Sequence, residues 1–321
     1  MIHPIDRAAA GMLHRGPKRV RIFPGGWGEQ RYVRLLREPH LMLTEPPALD
    51  ISWAPTKHLP DRRIRDGRFL TSADVPPPAA MAAFRLVEPP HGTDKLCLLM
   101  AAWNDHGYRT RQQLADELLR HHIGSIILEI PYYGSRRVVS PIEQPIRTVA
   151  DFARMGLGAV TEGRALLCHF GDDYRMGVSG YSMGGNIGAV VGAAAGFPVA
   201  MAPLAASHSP GPVFLDGAIS NRIVWEALGG TGQQEALRQA LTSVSVLNLP
   251  VPEWAPAAVM MAGKSDGFVP RSAIEALHHH WPGSELRWCR GGHATVLWRR
   301  QDELAATIAA SFDRLQALQT A

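Results

Sequence analysis

No Asp, Glu, Lys or Arg occurs between Met176 and Leu215. A stretch this long without charge belongs either in a protein core or in a lipid bilayer. From Ile187 to Ala206 it is mostly Ala and Gly, and Gly196-Phe197-Pro198 interrupts it, which a continuous helix does not tolerate. We therefore expect a buried strand, a buried helix and a second buried strand, the centre of an α/β core.

The same stretch contains a Gly-x-Ser-x-Gly motif, Gly180 to Gly184, with Ser182 at its middle. A β-rich run, Arg175 to Ser179, precedes the motif, and a small-residue helix from Met183 to Ala195 follows it. Strand, sharp turn and helix is the layout of a nucleophile elbow, which exposes a nucleophilic serine, and glycines beside the serine let strand and helix approach closely. The first N–H groups of the helix can then stabilise negative charge.

A serine hydroxyl needs a base to take its proton and an acid to orient that base. Asp266 follows the predicted strand Ala257–Ala262, and His293 follows the predicted strand Glu285–Cys289. Because parallel strands end at one edge of a sheet, we predict that Ser182, Asp266 and His293 form a catalytic triad there. Taken singly, Asp266 could be a turn residue or helix cap, and His293 an ordinary loop histidine. Asp216 is the alternative acid.

The oxyanion formed during such a reaction requires two N–H donors. We expect the backbone of Met183 to be one, and we favour Trp103, in the loop after the strand Leu96–Ala101, as the other. Asp105 and His106 belong to the same loop, where they bind substrate or hold the loop in shape. Four aromatic residues are further candidates for substrate contact: Tyr132, Tyr133, Phe214 and Trp225.

Alternating strands and helices from about Leu96 predict an α/β protein with a mainly parallel central sheet and helices on both faces. Residues 1–80 are predicted to be an N-terminal extension that wraps the main domain, 81–321. Residues 207–256 interrupt the alternation with helical pieces, including Asn221–Leu228, and form either a small lid or a surface helix pair. We predict one last helix, Leu297–Leu318.

The composition excludes several classes of protein. The net charge of +4 is small for 321 residues and does not imply nucleic-acid binding. Cys97, Cys168 and Cys289 are sparse and odd in number, which suits a reducing compartment rather than a disulfide framework. No metal-ligand spacing or phosphate-binding loop occurs, so we expect no cofactor and no metal. With no secretory signal, the expected location is the cytoplasm.

The segment up to Glu38 is strongly basic. We considered a solvated arm, a patch attracted to anionic lipid or substrate, and a targeting peptide, which the folded-looking turn Pro24–Gly28 disfavours. Peripheral contact with an anionic membrane is therefore a hypothesis. The basic residues are Arg7, Arg15, Lys18, Arg19, Arg21, Arg31, Arg34 and Arg37.

Several segments resemble the α/β-hydrolase domain-containing protein 18 family, and the similarity extends over almost the whole chain. They are Gly26–Gly28, Asp66–Phe69, Asp105–Tyr108, Pro131–Arg136, Ser182–Gly185, Val269–Arg271, Trp281–Gly283 and Gly291–His293. The resemblance implies an α/β-hydrolase fold, the triad positions named above and lipid-type acyl esters as substrates. The family is glycine-rich where this chain has Ala102 and Asn104, and this chain is shorter between the elbow and Asp266, so a large lid is not implied.

The predicted function is that of a serine hydrolase which cleaves a carboxylic ester through an acyl-enzyme. The substrate is expected to be a small-molecule or lipid ester, because Phe214, Trp225 and Trp103 are apolar. A thioesterase, peptidase or acyltransferase could use the same triad, and a non-catalytic binding protein could use the same fold. The oligomeric state is not predicted.

Overall fold

The computed structural model describes residues 2–12, 20–38, 43–140 and 143–320. Ten strands from these residues form one sheet. The strands are β1 (Ser52–Trp53), β2 (Lys57–His58), β3 (Arg63–Leu70), β4 (Met81–Glu88), β5 (Lys95–Met100), β6 (Gly124–Glu129), β7 (Arg175–Tyr181), β8 (Ala200–Leu204), β9 (Val259–Gly263) and β10 (Glu285–Cys289). The helices are α1 (Pro4–Met12), α2 (Gln30–Leu35), α3 (Arg109–Leu119), α4 (Val149–Gly171), α5 (Met183–Ala193), α6 (Pro210–Asp216), α7 (Trp225–Leu228), α8 (Gln234–Thr242), α9 (Arg271–His280), α10 (His293–Arg299) and α11 (Gln301–Thr320).

The strand order across the sheet fixes where a ligand can bind. The order is β1-β3-β4-β6-β5-β7-β8-β9-β10, with β2 beside β3. Pairing is parallel from β6 through β5 to β10, and antiparallel at the β1–β4 side. After β5 the chain crosses to β6 on one side, and after β7 it crosses to β8 on the other. A crevice therefore opens between the ends of β5 and β7, the usual ligand site of an open α/β sheet.

The charge-free stretch forms β7, α5 and β8, as the sequence predicts. Every residue of β8 is buried, and in β7 only Arg175 is partly exposed. The two motif glycines are needed for the close approach of α5 to the sheet. A Cβ at Gly180 would lie 2.5 Å from the backbone of Gly184, and one at Gly184 would lie 2.3 Å from Met100 O. Any larger residue would push the helix off the strand.

Two sequence predictions about helices are wrong. The last helix is not continuous, because the backbone at Arg300 (φ −134°, ψ 37°) separates α10 from α11. The break falls in the polar run Arg299–Glu303, which contains no Gly or Pro and suits a helix, so the pattern gave no sign of it. The segment Asn221–Leu228 is not one helix but a 3-10 turn, Ser220–Arg222, followed by the single turn of α7. Both differences lie next to the site described below.

The N-terminal segment joins the fold in two ways. Strands β1 to β3 extend the antiparallel side of the sheet, and α1 packs against α10. Of the basic residues singled out in the sequence, Arg15, Lys18 and Arg19 lie outside the described residues. Arg7, Arg21, Arg31, Arg34 and Arg37 are exposed. No helix within the described ranges is both long enough and apolar enough to cross a membrane.

Candidate active site

Ser182 is the turn residue between β7 and α5. Its backbone has φ 57° and ψ −117°, a conformation that costs a non-glycine residue about 1–3 kcal/mol and is typical of functional sites. The turn is held from both sides: Ser182 N donates to Leu204 O at 2.8 Å, and Asn186 N donates to Ser182 O at 3.0 Å. The neighbouring strand and helix therefore keep the serine in its strained position.

Asp266 and His293 meet at the ends of β9 and β10. His293 Nδ1 lies 2.7 Å from Asp266 Oδ2, while Asp266 Oδ1 accepts the backbone N–H groups of Phe268 (2.8 Å) and Val269 (2.9 Å). One carboxylate thus shapes its turn with one oxygen and orients the imidazole with the other. Within the described residues no hydrogen bond joins the Ser182 hydroxyl to His293. Such contacts are often long in free enzymes and shorten when substrate binds.

The surroundings of His293 favour its protonated form. Burial lowers the pKa of His293, but the charge of Asp266, the hydrogen bond to it and the charge of Asp6 outweigh burial and raise the pKa above its usual value. The ring has two aromatic neighbours, with its centroid 4.9 Å from that of Tyr181 and 5.2 Å from that of Phe268. Tyr181 Oη also donates to His293 O at 2.6 Å. These contacts fix the ring plane relative to the elbow.

Ser182 and His293 line one cavity of about 350 Å³. Trp103, Phe152 and Phe214 form its aromatic wall, with ring centroids 5.4 Å apart for Trp103–Phe214 and for Phe152–Phe214. Polar side chains are few on this wall. The buried hydroxyl of Ser209 is one, and it has no hydrogen-bond partner among the described residues. The cavity is therefore apolar apart from its reacting groups and a small number of hydrogen-bonding atoms.

The two predicted oxyanion donors lie on this cavity. Met183 and Trp103 both line it, and neither backbone N–H is used in a hydrogen bond within the described part of the chain. The next two amides of the loop are occupied. Asn104 N donates to Tyr133 Oη at 3.3 Å, and Asp105 N donates to Ala102 O at 3.1 Å. This narrows the second donor to the start of the loop, although its role remains a prediction.

Asp105 and His106 do not line the cavity. Asp105 Oδ2 accepts from Arg111 Nε at 2.8 Å, in a buried pair below the loop. His106 Nδ1 accepts from Gly134 N at 3.2 Å. Burial and the nearby Arg137 charge lower the pKa of His106, against the smaller opposite effects of Asp105 and Glu129. Of the two roles considered from the sequence, the geometry matches holding the loop.

Tyr132 and Tyr133 are also away from the cavity lining. Both are buried, and the Tyr133 ring lies 4.8 Å from the His106 ring. Tyr132 has φ 71° and its hydroxyl donates to Asp151 at 3.4 Å. The loops after β5 and β6, which carry two of the family-like segments, therefore hold each other by direct contact.

The helical insertion contributes part of the cavity wall. Phe214, on α6, is buried and lines the cavity, whereas Trp225 is half-buried and does not line it. The expectation that both aromatics face substrate fits Phe214 alone. Asp216, the alternative acid, instead forms a two-fold hydrogen-bonded pair with Arg238 at 2.8 and 2.9 Å. The structure thus leaves Asp266 as the partner of the imidazole.

Sequence reasoning missed three residues at this site: Asp6, Tyr181 and Phe152. Tyr181 is a variable position of the motif, and Phe152 comes from the first turn of α4, far along the chain. Asp6 lies in the N-terminal helix and hydrogen-bonds both loops that carry the His–Asp pair. No motif indicates Asp6, because its partners are backbone groups.

A profile of the family described as alpha/beta hydrolase domain containing 18 matches residues 20–240 and 229–314. The chain belongs to this family. The resemblance noted in the sequence is thereby confirmed. The matched ranges include the elbow and both loops of the His–Asp pair, so these parts of the site belong to the region shared with the alpha/beta hydrolase domain containing 18 family.

Solved structures confirm the α/β-hydrolase fold of this alpha/beta hydrolase domain containing 18 protein. Acetyl xylan esterase 1 from a Thermoanaerobacterium species has a TM-score of 0.59 and 12% identity, over 91% of this chain and 96% of that one. Acetyl xylan esterase from a Paenibacillus species has 0.58 and 14%, over 84% and 92%. A cold-adapted esterase from an Arctic intertidal metagenomic library has 0.55 and 16%, over 82% and 99%. At such low identity the likeness concerns the fold alone.

Proposed function

We propose that this protein is a serine hydrolase that cleaves carboxylic esters with an apolar acyl group. The observation that carries the proposal is the 2.7 Å contact between His293 Nδ1 and Asp266 Oδ2, on the same cavity as a serine in a strained turn. A structural histidine and a structural serine have no need to share an apolar cavity.

The chemistry follows from this arrangement. Because Nδ1 faces the carboxylate, Nε2 is free to accept the Ser182 proton as Oγ attacks the ester carbonyl carbon. The N–H groups of Met183 and Trp103 stabilise the resulting oxyanion. His293 then gives the proton to the departing alcohol, leaving an acyl-Ser182 ester. Water attacks that ester with His293 again as the base, and release of the carboxylic acid restores the serine.

The cavity favours an apolar acyl group. Its volume of about 350 Å³ is at the lower end of the range for small-molecule sites, and its aromatic wall begins next to the elbow. A second, smaller apolar cavity lies behind Phe152 and Met183, which line both spaces. We infer that a medium or long acyl chain, as in a lipid-like ester, lies in the cavity against the wall formed by Trp103, Phe152 and Phe214.

A fluorophosphonate probe tests the nucleophile. We expect the wild type to be labelled at Ser182 and Ser182→Ala to remain unlabelled. The matched control is Ser179→Ala, since the Ser179 hydroxyl is buried on β7 and donates to Ala202 O at 2.6 Å. Labelling of Ser182→Ala at the wild-type level would reject Ser182 as the nucleophile and point to another reactive residue. A wild type that does not react would reject the serine hydrolase and favour a binding protein on this fold.

A substrate series tests the class of ester. We expect kcat/KM for p-nitrophenyl esters to rise from acetate to octanoate, because each added methylene contacts the aromatic wall. Rates on thioesters and anilides of the same acyl groups test the thioesterase and peptidase alternatives. Formation of a new ester with an added alcohol tests the acyltransferase alternative. A preference for acetate alone would contradict the apolar acyl site while leaving the serine mechanism intact.

A further inference from the structure

The N-terminal segment lies directly on the two loops that carry Asp266 and His293. His3 N donates to Ser265 O at 3.0 Å, beside the acid. Two glycines leave room for this contact. A Cβ at Gly267 would lie 2.5 Å from Ile2 Cγ2, and one at Gly292 would lie 2.5 Å from Asp6 Oδ2. The start of the chain is therefore packed against the site at van der Waals distance.

Asp6 is the centre of this contact. Its side chain is fully buried, and Oδ2 accepts the N–H groups of His293 (2.7 Å) and Gly267 (3.0 Å), while Oδ1 accepts that of Ala294 (3.1 Å). The carboxylate of Asp6 thus links Gly267, which follows Asp266, to the backbone of His293 and Ala294. Charge-assisted bonds to backbone N–H groups are stronger than neutral ones, so the two loops are held together firmly.

The charge of Asp6 also acts on the imidazole. Among the described residues Asp6 forms no ion pair, and three backbone N–H groups hydrogen-bond its carboxylate. Within the part of the chain that the structure describes, the charged or titratable groups around His293 are Asp266 from the β9 loop, Asp6 and His3 from the N-terminal segment, and Tyr181 from β7. Asp266 and Asp6 both help to raise the pKa of His293.

We propose that Asp6 is a positioning residue for the Asp266–His293 pair, and that the N-terminal helix is in this sense part of the active site. The proposal rests on the proposed serine hydrolase function. Asp6 touches no reacting atom, so it acts by setting where the imidazole stands and how readily the ring loses its proton. A carboxylate that only stabilised the fold would change the free energy of unfolding without changing kcat of the folded protein.

The test compares Asp6→Asn and Asp6→Glu with the wild type on a p-nitrophenyl ester. In Asp6→Asn we expect kcat to fall by up to about 10²-fold with KM little changed, the size of effect that small displacements of catalytic groups produce. Its acid limb in kcat/KM should move to lower pH, because a negative charge that favours the imidazolium has gone. Asp6→Glu keeps the charge, so we expect the acid limb of kcat/KM to stay at the wild-type pH, with a smaller, several-fold loss of kcat.

The control is Asp302→Asn, the same change at an exposed carboxylate in the first turn of α11. It should leave kcat and the limb at wild-type values. Wild-type kcat and an unshifted limb in Asp6→Asn would overturn the proposal, as would a loss of rate that only follows loss of folded protein. If Asp6→Asn does not fold, Asp6→Glu decides alone, since wild-type kcat in that variant would contradict a positioning role.

A measurement without substrate separates this inference from the proposed function. The His293 ring can be titrated by NMR of its imidazole nitrogens in the wild type and in Asp6→Asn. We expect a lower pKa in the variant even if the wild type hydrolyses no ester, in which case only the proposed function fails. An unchanged titration in a folded Asp6→Asn variant would reject the role of Asp6 whatever the enzyme's activity.

Discussion

The loops after β5 and β6 and the loops after β7, β9 and β10 lie at the same edge of the sheet, yet they use their polar residues in opposite ways. In the first pair, Asp105 is bonded to Arg111 at the start of α3, and His106 is bonded to Gly134 in the loop after β6. In the second set, Ser182 and His293 line the cavity. Position at the carboxyl edge therefore indicates where chemistry can occur, but the hydrogen-bond partners decide which loop is equipped for it.

The pKa values of the two histidines are shifted in opposite directions. The pKa of His106 is lowered, chiefly by burial, whereas the pKa of His293 is raised because Asp266 and Asp6 outweigh burial. A neutral His106 suits its role as acceptor for the Gly134 N–H. The raised pKa of His293 means that its ring takes up a proton more readily than a free imidazole, which suits a residue that accepts the serine proton. The comparison can be tested by making equivalent changes in both regions.

The largest difference is expected from replacing the carboxylate of each region by its amide. Asp266→Asn should lower kcat by about 10⁴-fold, because the amide can donate to His293 Nδ1 and then holds the wrong tautomer. Folding should be less affected than in Asp105→Asn. Steady-state kinetics on an octanoate ester, with circular dichroism to confirm folding, measures this. A fall of less than tenfold would mean that Asp266 is a turn residue only.

The same substitution at Asp105 should act on stability. Removing one partner of a buried ion pair costs about 3–5 kcal/mol, and the Asp105–Arg111 pair has both side chains only 6% exposed. Urea unfolding monitors the loss, and KM of the folded enzyme should stay near the wild-type value because Asp105 does not line the cavity. Asp302→Asn again serves as the exposed control. A tenfold rise in KM with unchanged stability would instead make Asp105 a substrate contact.

The framework of the site could be predicted because it depends on local patterns. Continuous apolar runs identify the buried strands, and parallel strands bring Ser182, Asp266 and His293 to one edge whatever the details of the helices between them. The 2.7 Å contact of Asp266 and His293 agrees with that expectation. Their catalytic roles remain to be measured.

What could not be predicted depends on contacts between distant or unpatterned segments. Asp6 bonds to backbone groups 261 to 288 residues away, and a backbone N–H carries no signature in a sequence. Trp225 and Phe152 are both aromatic, yet only Phe152 lines the cavity, because the direction of a side chain depends on how its helix packs. The break at Arg300 has no mark in the sequence either, because it falls in a polar run without Gly or Pro, Arg299–Glu303.

The aromatic wall offers a smaller effect in the reactive region. Phe214→Leu should lower kcat/KM for octanoate relative to acetate by about tenfold, within the 1–3 kcal/mol typical of apolar pocket contacts. The matched control is Phe170→Leu, a buried aromatic that contacts Phe84 and lies outside the cavity lining. That variant should lose stability but keep the ratio of the two esters. An equal shift in both variants would attribute the preference to general destabilisation.

The smallest expected effect concerns the basic N-terminal surface, for which contact with an anionic membrane is still a hypothesis. Arg31, Arg34 and Arg37 are spaced by three residues and all exposed, while Tyr32 and Val33 between them are buried.

Since one basic residue near an anionic surface contributes about 1 kcal/mol, Arg34→Ala should weaken cosedimentation with phosphatidylserine vesicles by about fivefold. Added salt should weaken it too, as screening shortens the reach of the charges. Arg120, 76% exposed at the C-terminal cap of α3, provides the control Arg120→Ala. Binding that does not depend on the anionic lipid fraction, or that falls equally in the control, would contradict the membrane hypothesis. The basic segment would then be a solvated arm.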